Sequence, residues 1–182
     1  MPAQFWESVL NSPGLGAGAA LLSSVTLTDV SPAPQLIIPA GFFYAGQALR
    51  LTACGVFSTT GAPTLLTGFY TGPSTGAGVA GVALAASGAV ATGSGVTNVP
   101  WRMEATCTVR TIGTAGTVIT QGVQYIGTSV SAWGNTPLPI IALATVSFDM
   151  TVSRVITVGA QWGTSSASNT LTCHQFLIEA LN

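Results

Sequence analysis

The chain holds one histidine, His174, and it directly follows Cys173. A cysteine beside a histidine is a nucleophile beside a base, provided the two side chains meet. Neighbours on a strand point to opposite faces, so these two do not form such a pair. A serine-type site needs a base oriented by an acid. The two aspartates, Asp29 and Asp149, stand far from His174 in sequence. Glu7, Glu104 and Glu179 add three carboxylates, and glycoside hydrolysis needs two across a cleft; nothing in their spacing pairs them. Gly93-Ser94-Gly95 lacks the lysine and the strand-to-helix setting of a phosphate loop. The residues therefore point to no catalytic group and no cofactor, and the chain reads as non-enzymatic.

Cys54, Cys107 and Cys173 are odd in number and far apart. Zinc ligands come in short-spaced pairs, so no metal site is expected. The three thiols read as small strand-buried hydrophobes, reduced as in a cytoplasm; a disulfide joining two of them is the alternative. Among the aromatics, Trp101 and Trp162 fall on apolar strand faces and are expected in the core. Trp133, in Ser131-Ala132-Trp133-Gly134-Asn135, falls in a predicted loop. Trp133 and Tyr70 are the aromatic candidates for contact with a ligand or partner.

The elements that must position these residues read as strands. Trp101, Met103, Ala105, Cys107 and Val109 alternate with Arg102, Glu104, Thr106, Thr108 and Arg110. This period of two over ten residues predicts a half-buried strand. Gly113-Thr114-Ala115-Gly116 turns the chain, and 117–125 returns as a hairpin partner. Further strands are expected over 48–57, with Leu49, Leu51, Ala53 and, after an irregularity at Gly55, Val56 facing one way. Others are expected over 64–71, 144–150, 153–161 and 169–181. In the last, Thr170, Thr172, His174, Phe176 and Ile178 are expected to share a face. Eight to ten strands with regular turn signals, and no convincing long helix, predict an all-β sandwich or jelly roll. Residues 25–182 form that domain. Residues 1–24 read as an N-terminal arm or anchoring segment, in which Phe5, Trp6, Val9 and Leu10 make an apolar cluster at roughly helical spacing.

Composition narrows the function. Charged residues make up 5% of the 182 residues, and none is lysine; average soluble domains carry about 25%. A monomer needs more ionic surface than this to stay dispersed. Thr, Ser, Gly, Ala and Val take the place of charge, which suits surfaces that touch other protein. Four scattered arginines and a net charge of −1 argue against direct nucleic-acid binding, which uses clustered cations, and against polybasic membrane contact. No apolar run approaches the roughly 20 residues of a spanning helix, and the start lacks the cation of a secretory signal.

The order of several segments carries one resemblance. Ala45-Gly46-Gln47-Ala48-Leu49-Arg50-Leu51-Thr52-Ala53 precedes Gly55 and Phe57-Ser58-Thr59. Pro100-Trp101-Arg102-Met103-Glu104 comes next, then Val109-Arg110-Thr111-Ile112-Gly113-Thr114-Ala115-Gly116-Thr117. Gln161-Trp162-Gly163-Thr164 leads into Asn169-Thr170-Leu171-Thr172 and Gln175-Phe176. Over residues 40–182 the chain resembles small virion proteins of tailed bacteriophages, especially those of actinobacterial hosts. The resemblance leaves 1–24 unmatched. It implies a jelly roll similar to the trimeric tumour-necrosis-factor-like fold, and a capsid decoration or cementing protein on the outer head surface. The partners it implies are copies of the chain in a homotrimer and the major capsid protein or other virion subunits. The localisation it implies is the virion, assembled in the host cytoplasm. Under that reading His174 and Phe176 lie near the threefold axis, and Phe5, Trp6, Val9 and Leu10 anchor the arm. The alternative is a tail-associated or head-fibre module recognising host-surface glycan through Trp133 and Tyr70.

Overall fold

Alternating apolar and polar residues bury one face of a strand, and two such sheets must close on each other. The computed structural model describes residues 8–11, 16–74, 81–129, 132–138 and 145–181. Within them run fourteen strands and no helix. They are β1 (Ser8–Asn11), β2 (Leu21–Leu22), β3 (Thr28–Asp29), β4 (Ile37–Ile38), β5 (Ala48–Ser58), β6 (Thr64–Pro73) and β7 (Val82–Ala86). After these come β8 (Val90–Ala91), β9 (Val99–Thr111), β10 (Gly116–Ser129), β11 (Ala132–Leu138), β12 (Thr145–Phe148), β13 (Arg154–Trp162) and β14 (Thr170–Ala180).

The strands form two antiparallel sheets. The larger runs β1-β14-β5-β9-β10-β11, with β2 also on β14 and β12 also on β10. The smaller runs β3-β13-β6-β7, with β4 on β13 and β8 on β6. The chain passes from one sheet to the other between β2 and β3, β4 and β5, β5 and β6, β8 and β9, β12 and β13, and β13 and β14. The last strands therefore sit beside early ones: β14 lies against β5, and β13 against β6. This is jelly-roll connectivity in a β-sandwich, as the strand pattern predicts.

The core lies between the sheets. Trp101, Met103, Ala105, Cys107 and Val109 all point inward from β9, as their alternation requires. Trp162 and Trp101 are both fully enclosed. The Phe57 ring lies 6.4 Å from Trp162, and Phe69 of β6 stacks on Phe176 of β14 at 5.9 Å. Full burial of such side chains stabilises each by about 1.5–3 kcal/mol relative to exposure.

Four local expectations are corrected. First, β5 alternates without a break: its pairing with β9 is continuous from Ala48 to Phe57. Phe57 is therefore buried and Val56 turns outward. Second, the irregularity lies in the partner strand. The β14 register shifts between Cys173 and Gln175, so His174 is an extra residue opposite β5. Such a bulge flips the parity of the residues beyond it. Leu171 and Cys173 point inward before it, and Phe176, Ile178 and Ala180 after it. His174 and Phe176 consequently do not share a face. Gly55 sits opposite Cys173 because a Cβ there would stand 1.9 Å from the Thr172 carbonyl oxygen.

Third, residues 8–11 are extended and pair with β14, with Val9 opposite Glu179. Hydrogen bonding to a sheet edge overrides the helical spacing of Val9 and Leu10; Phe5 and Trp6 lie outside the described residues. Fourth, Trp133 is on a strand rather than a loop, opposite Gly127 in the β10–β11 ladder. Among the described residues β11 pairs with β10 alone, and an edge strand tolerates Gly134 and Pro137.

Candidate functional site

The outward face of the larger sheet gathers the chain's ionic groups. Arg50 of β5, Arg102, Glu104 and Arg110 of β9, and Glu179 of β14 are five of its nine charged residues. Alternation places them: each sits next to an inward core residue such as Leu49, Trp101, Met103, Val109 or Ile178. The antiparallel register then aligns them in rungs. Glu179 stands opposite Arg50, and Arg50 opposite Thr106. The next rung is Leu177, Thr52 and Glu104, and the third is Gln175, Cys54 and Arg102.

Two ion pairs hold this grid. Arg50 Nη1 lies 3.5 Å from Glu179 Oε2, and Arg102 Nη2 donates to Glu104 Oε2 at 2.9 Å. The second joins two outward residues of one strand, two positions apart. Arg50 and Arg102 are exposed, while Glu104 and Glu179 are partly buried, Glu179 the more so; open pairs such as Arg102–Glu104 are worth about 0–1 kcal/mol and contribute little to folding. What they fix is the position of charge on a broad, shallow concavity of about 500 Å³.

The sequence candidates scatter around this face. His174 is exposed at the bulge, while Cys173 beside it is wholly buried. Burial pushes the Cys173 thiol up to about 12 and the Cys107 thiol up to about 11. Neither is a thiolate near neutral pH, so neither is a nucleophile. Cys54 is half-buried on the outward face, its Sγ 3.6 Å from Gln175 Oε1, and all three cysteines are free thiols.

Phe176 is in the core against Phe69, which removes it from any interface. Tyr70 lies within β6 and is 6% exposed; burial raises its phenol to about 12. That position withdraws it as an exposed aromatic platform. The two aspartates are engaged locally. Asp29 accepts from the Ser31 amide and from Gln35, and Asp149 accepts from the amide and hydroxyl of Thr151. Among the described residues, no group of three or more His, Cys, Asp or Glu could hold a metal ion.

A separate cleft of about 290 Å³ opens between the loop after β5 and the loop before β14. Thr60, Thr164, Ser166 and Asn169 give it hydroxyl and amide lining without a charged residue. The grid and this cleft were both hidden in the sequence, because each joins residues more than a hundred positions apart. The alternation that turns Arg50, Arg102 and Glu104 outward was the one readable signal.

No protein-family model, curated protein or solved structure matches this chain.

Proposed function

We propose that the chain is a non-enzymatic structural protein of a tailed-phage virion, a homotrimeric decoration protein that cements the outer surface of the head. The observation that carries this reading is the distribution of charge on the jelly roll. Five of nine ionic groups lie on one sheet face, and the rest of the chain relies on hydroxyls and small residues. A surface so poor in charge suits burial against other protein, and low net charge limits repulsion among crowded copies. The resemblance over residues 40–182 supplies the virion setting and the threefold association. Capsid subunits are the partners under this reading, and Phe5, Trp6, Val9 and Leu10 anchor the arm to them.

The test is cosedimentation of the purified chain with phage heads lacking their decoration protein, beside a light-scattering mass. A species of three times 18.3 kDa that binds heads supports the reading. Truncating residues 1–12 then abolishes head binding while the β domain stays folded. Heads that recover no protein at saturating concentration refute it. The cleft lined by Thr60, Thr164, Ser166 and Asn169 favours a second reading, a tail-associated or head-fibre module for a neutral host glycan. Glycan-array binding lost in a Ser166→Trp variant would select that reading.

A further inference from the structure

The outward rungs place opposite charges at positions that exchange under a single rotation. Take β5 as the middle column with β14 and β9 on its flanks, ~4.8 Å between strands and ~6.8 Å between alternate residues. Glu179 and Arg102 stand at opposite corners of this patch, and Thr52 stands at its centre. Consider a two-fold axis in the plane of the sheet, through Thr52 and perpendicular to the Glu179–Arg102 diagonal. It lays a second copy face to face and sets Glu179 of each copy over Arg102 of the other. The same rotation brings Arg50 to within about 3 Å, in the plane, of the Glu104 position, and Leu177 equally close to Cys54. The strands of the two copies cross at roughly 70°, towards the orthogonal class of sheet packing.

We propose that a second copy of the chain docks on this face as a two-fold pair, with Arg50 and Arg102 of each copy meeting Glu104 and Glu179 of the other. The order of charges carries the proposal. Exchanging Arg102 with Glu104 on the grid would make the same rotation set glutamate on glutamate and arginine on arginine. The ion pairs within each copy, at 3.5 and 2.9 Å, hold the four side chains over the face before docking. Preorganisation of this kind lowers the cost of association. Each arginine in the pair then lies between a glutamate of its own chain and one of the other. The contact uses the outward face of β14, β5 and β9, and a trimer whose copies pair in this way at least doubles in mass.

The test uses two full-length variants. Arg50→Glu with Arg102→Glu gives an all-acidic patch; Glu104→Arg with Glu179→Arg gives an all-basic one. Sedimentation velocity at low salt is expected to show wild-type pairs that dissociate as salt rises, since salt screens exposed charge. Each variant alone loses pairing, because like charges now face each other. An equimolar mixture regains it as a mixed pair. Wild-type protein that never doubles, a variant that pairs alone as wild type does, or a mixture no heavier than its parts overturns the proposal. If the charge variants do not fold, Thr52→Cys in a Cys54→Ala background replaces them. Thr52 lies on the axis and facing sheets pack about 10 Å apart, so a bis-maleimide of that span is expected to link two copies through residue 52. Absence of the link overturns the pairing. A trimer that binds heads but never doubles refutes the pair and leaves the virion reading standing; a pair without affinity for heads does the reverse.

Discussion

Phe176 and Leu177 are neighbours in sequence, and the bulge at His174 decides which of them is in the core. If β14 ran straight through His174, alternation from Leu171 and Cys173 would carry Leu177 inward and Phe176 outward. With His174 set aside in the bulge, Phe176 is 1% exposed and stacks on Phe69 at 5.9 Å, while Leu177 turns to the outward face. Truncating a fully buried phenylalanine to alanine costs about 3–5 kcal/mol, the lost ring contact with Phe69 included. Leu177→Ala leaves no internal cavity and is expected to cost no more than about 1 kcal/mol. In a chain of this size each kcal/mol moves the melting temperature by about 2–4 °C. Phe176→Ala should therefore melt roughly 6–20 °C below wild type, and Leu177→Ala within a few degrees of it. Urea unfolding of the three proteins checks this, provided the denaturant slope is shared. Equal losses, or a larger loss for Leu177→Ala, would show that β14 runs straight through His174, and the rung alignment of Gln175, Leu177 and Glu179 would fall with it.

Deleting His174 removes the bulge and leaves Leu171, Cys173, Phe176, Ile178 and Ala180 alternating inward without a break against β5, so soluble folded protein is expected on expression; a loss of folded protein would show that His174 is a paired member of the strand. Gly55→Ala puts a methyl group 1.9 Å from the Thr172 carbonyl oxygen; it should lower the urea midpoint far more than Thr52→Ala, three residues away on the exposed face. At pH 8, iodoacetamide should label Cys54 in the native protein and spare Cys107 and Cys173, whose thiols burial holds protonated; mass spectrometry after brief exposure reads this directly. The same burial makes stability depend on alkaline pH. Folded values of about 11 and 12 stand above the usual 9.0, so between these limits the native state binds more protons than the unfolded one. Their contribution is complete below pH 9 and is lost as pH rises through 11 to 12. A melting temperature that falls across that window in wild type, and falls less in Cys107→Ala with Cys173→Ala, is the expected result.

Local pattern alone determined much of this protein. The alternation from Trp101 to Val109 gave β9, its buried face and its outward charges, because side chains of one strand obey a period of two whatever lies beside them. Turn chemistry at Gly113 announced the β9–β10 hairpin; Gly113 has a φ of +113°, and its carbonyl accepts from the Gly116 amide at 3.1 Å. Scarcity of charge and all-β character were equally plain. The tertiary structure decided what depends on a neighbouring strand. Residues 8–11 became extended because the β14 edge offers them backbone hydrogen bonds, and Trp133 joined a strand because β10 is long enough to pair with it. The bulge at His174 is a mismatch between two strands, so neither strand encodes it alone. The charge grid is the furthest consequence. Arg50, Arg102 and Glu179 come from three distant parts of the chain, and only the register between β5, β9 and β14 makes them neighbours.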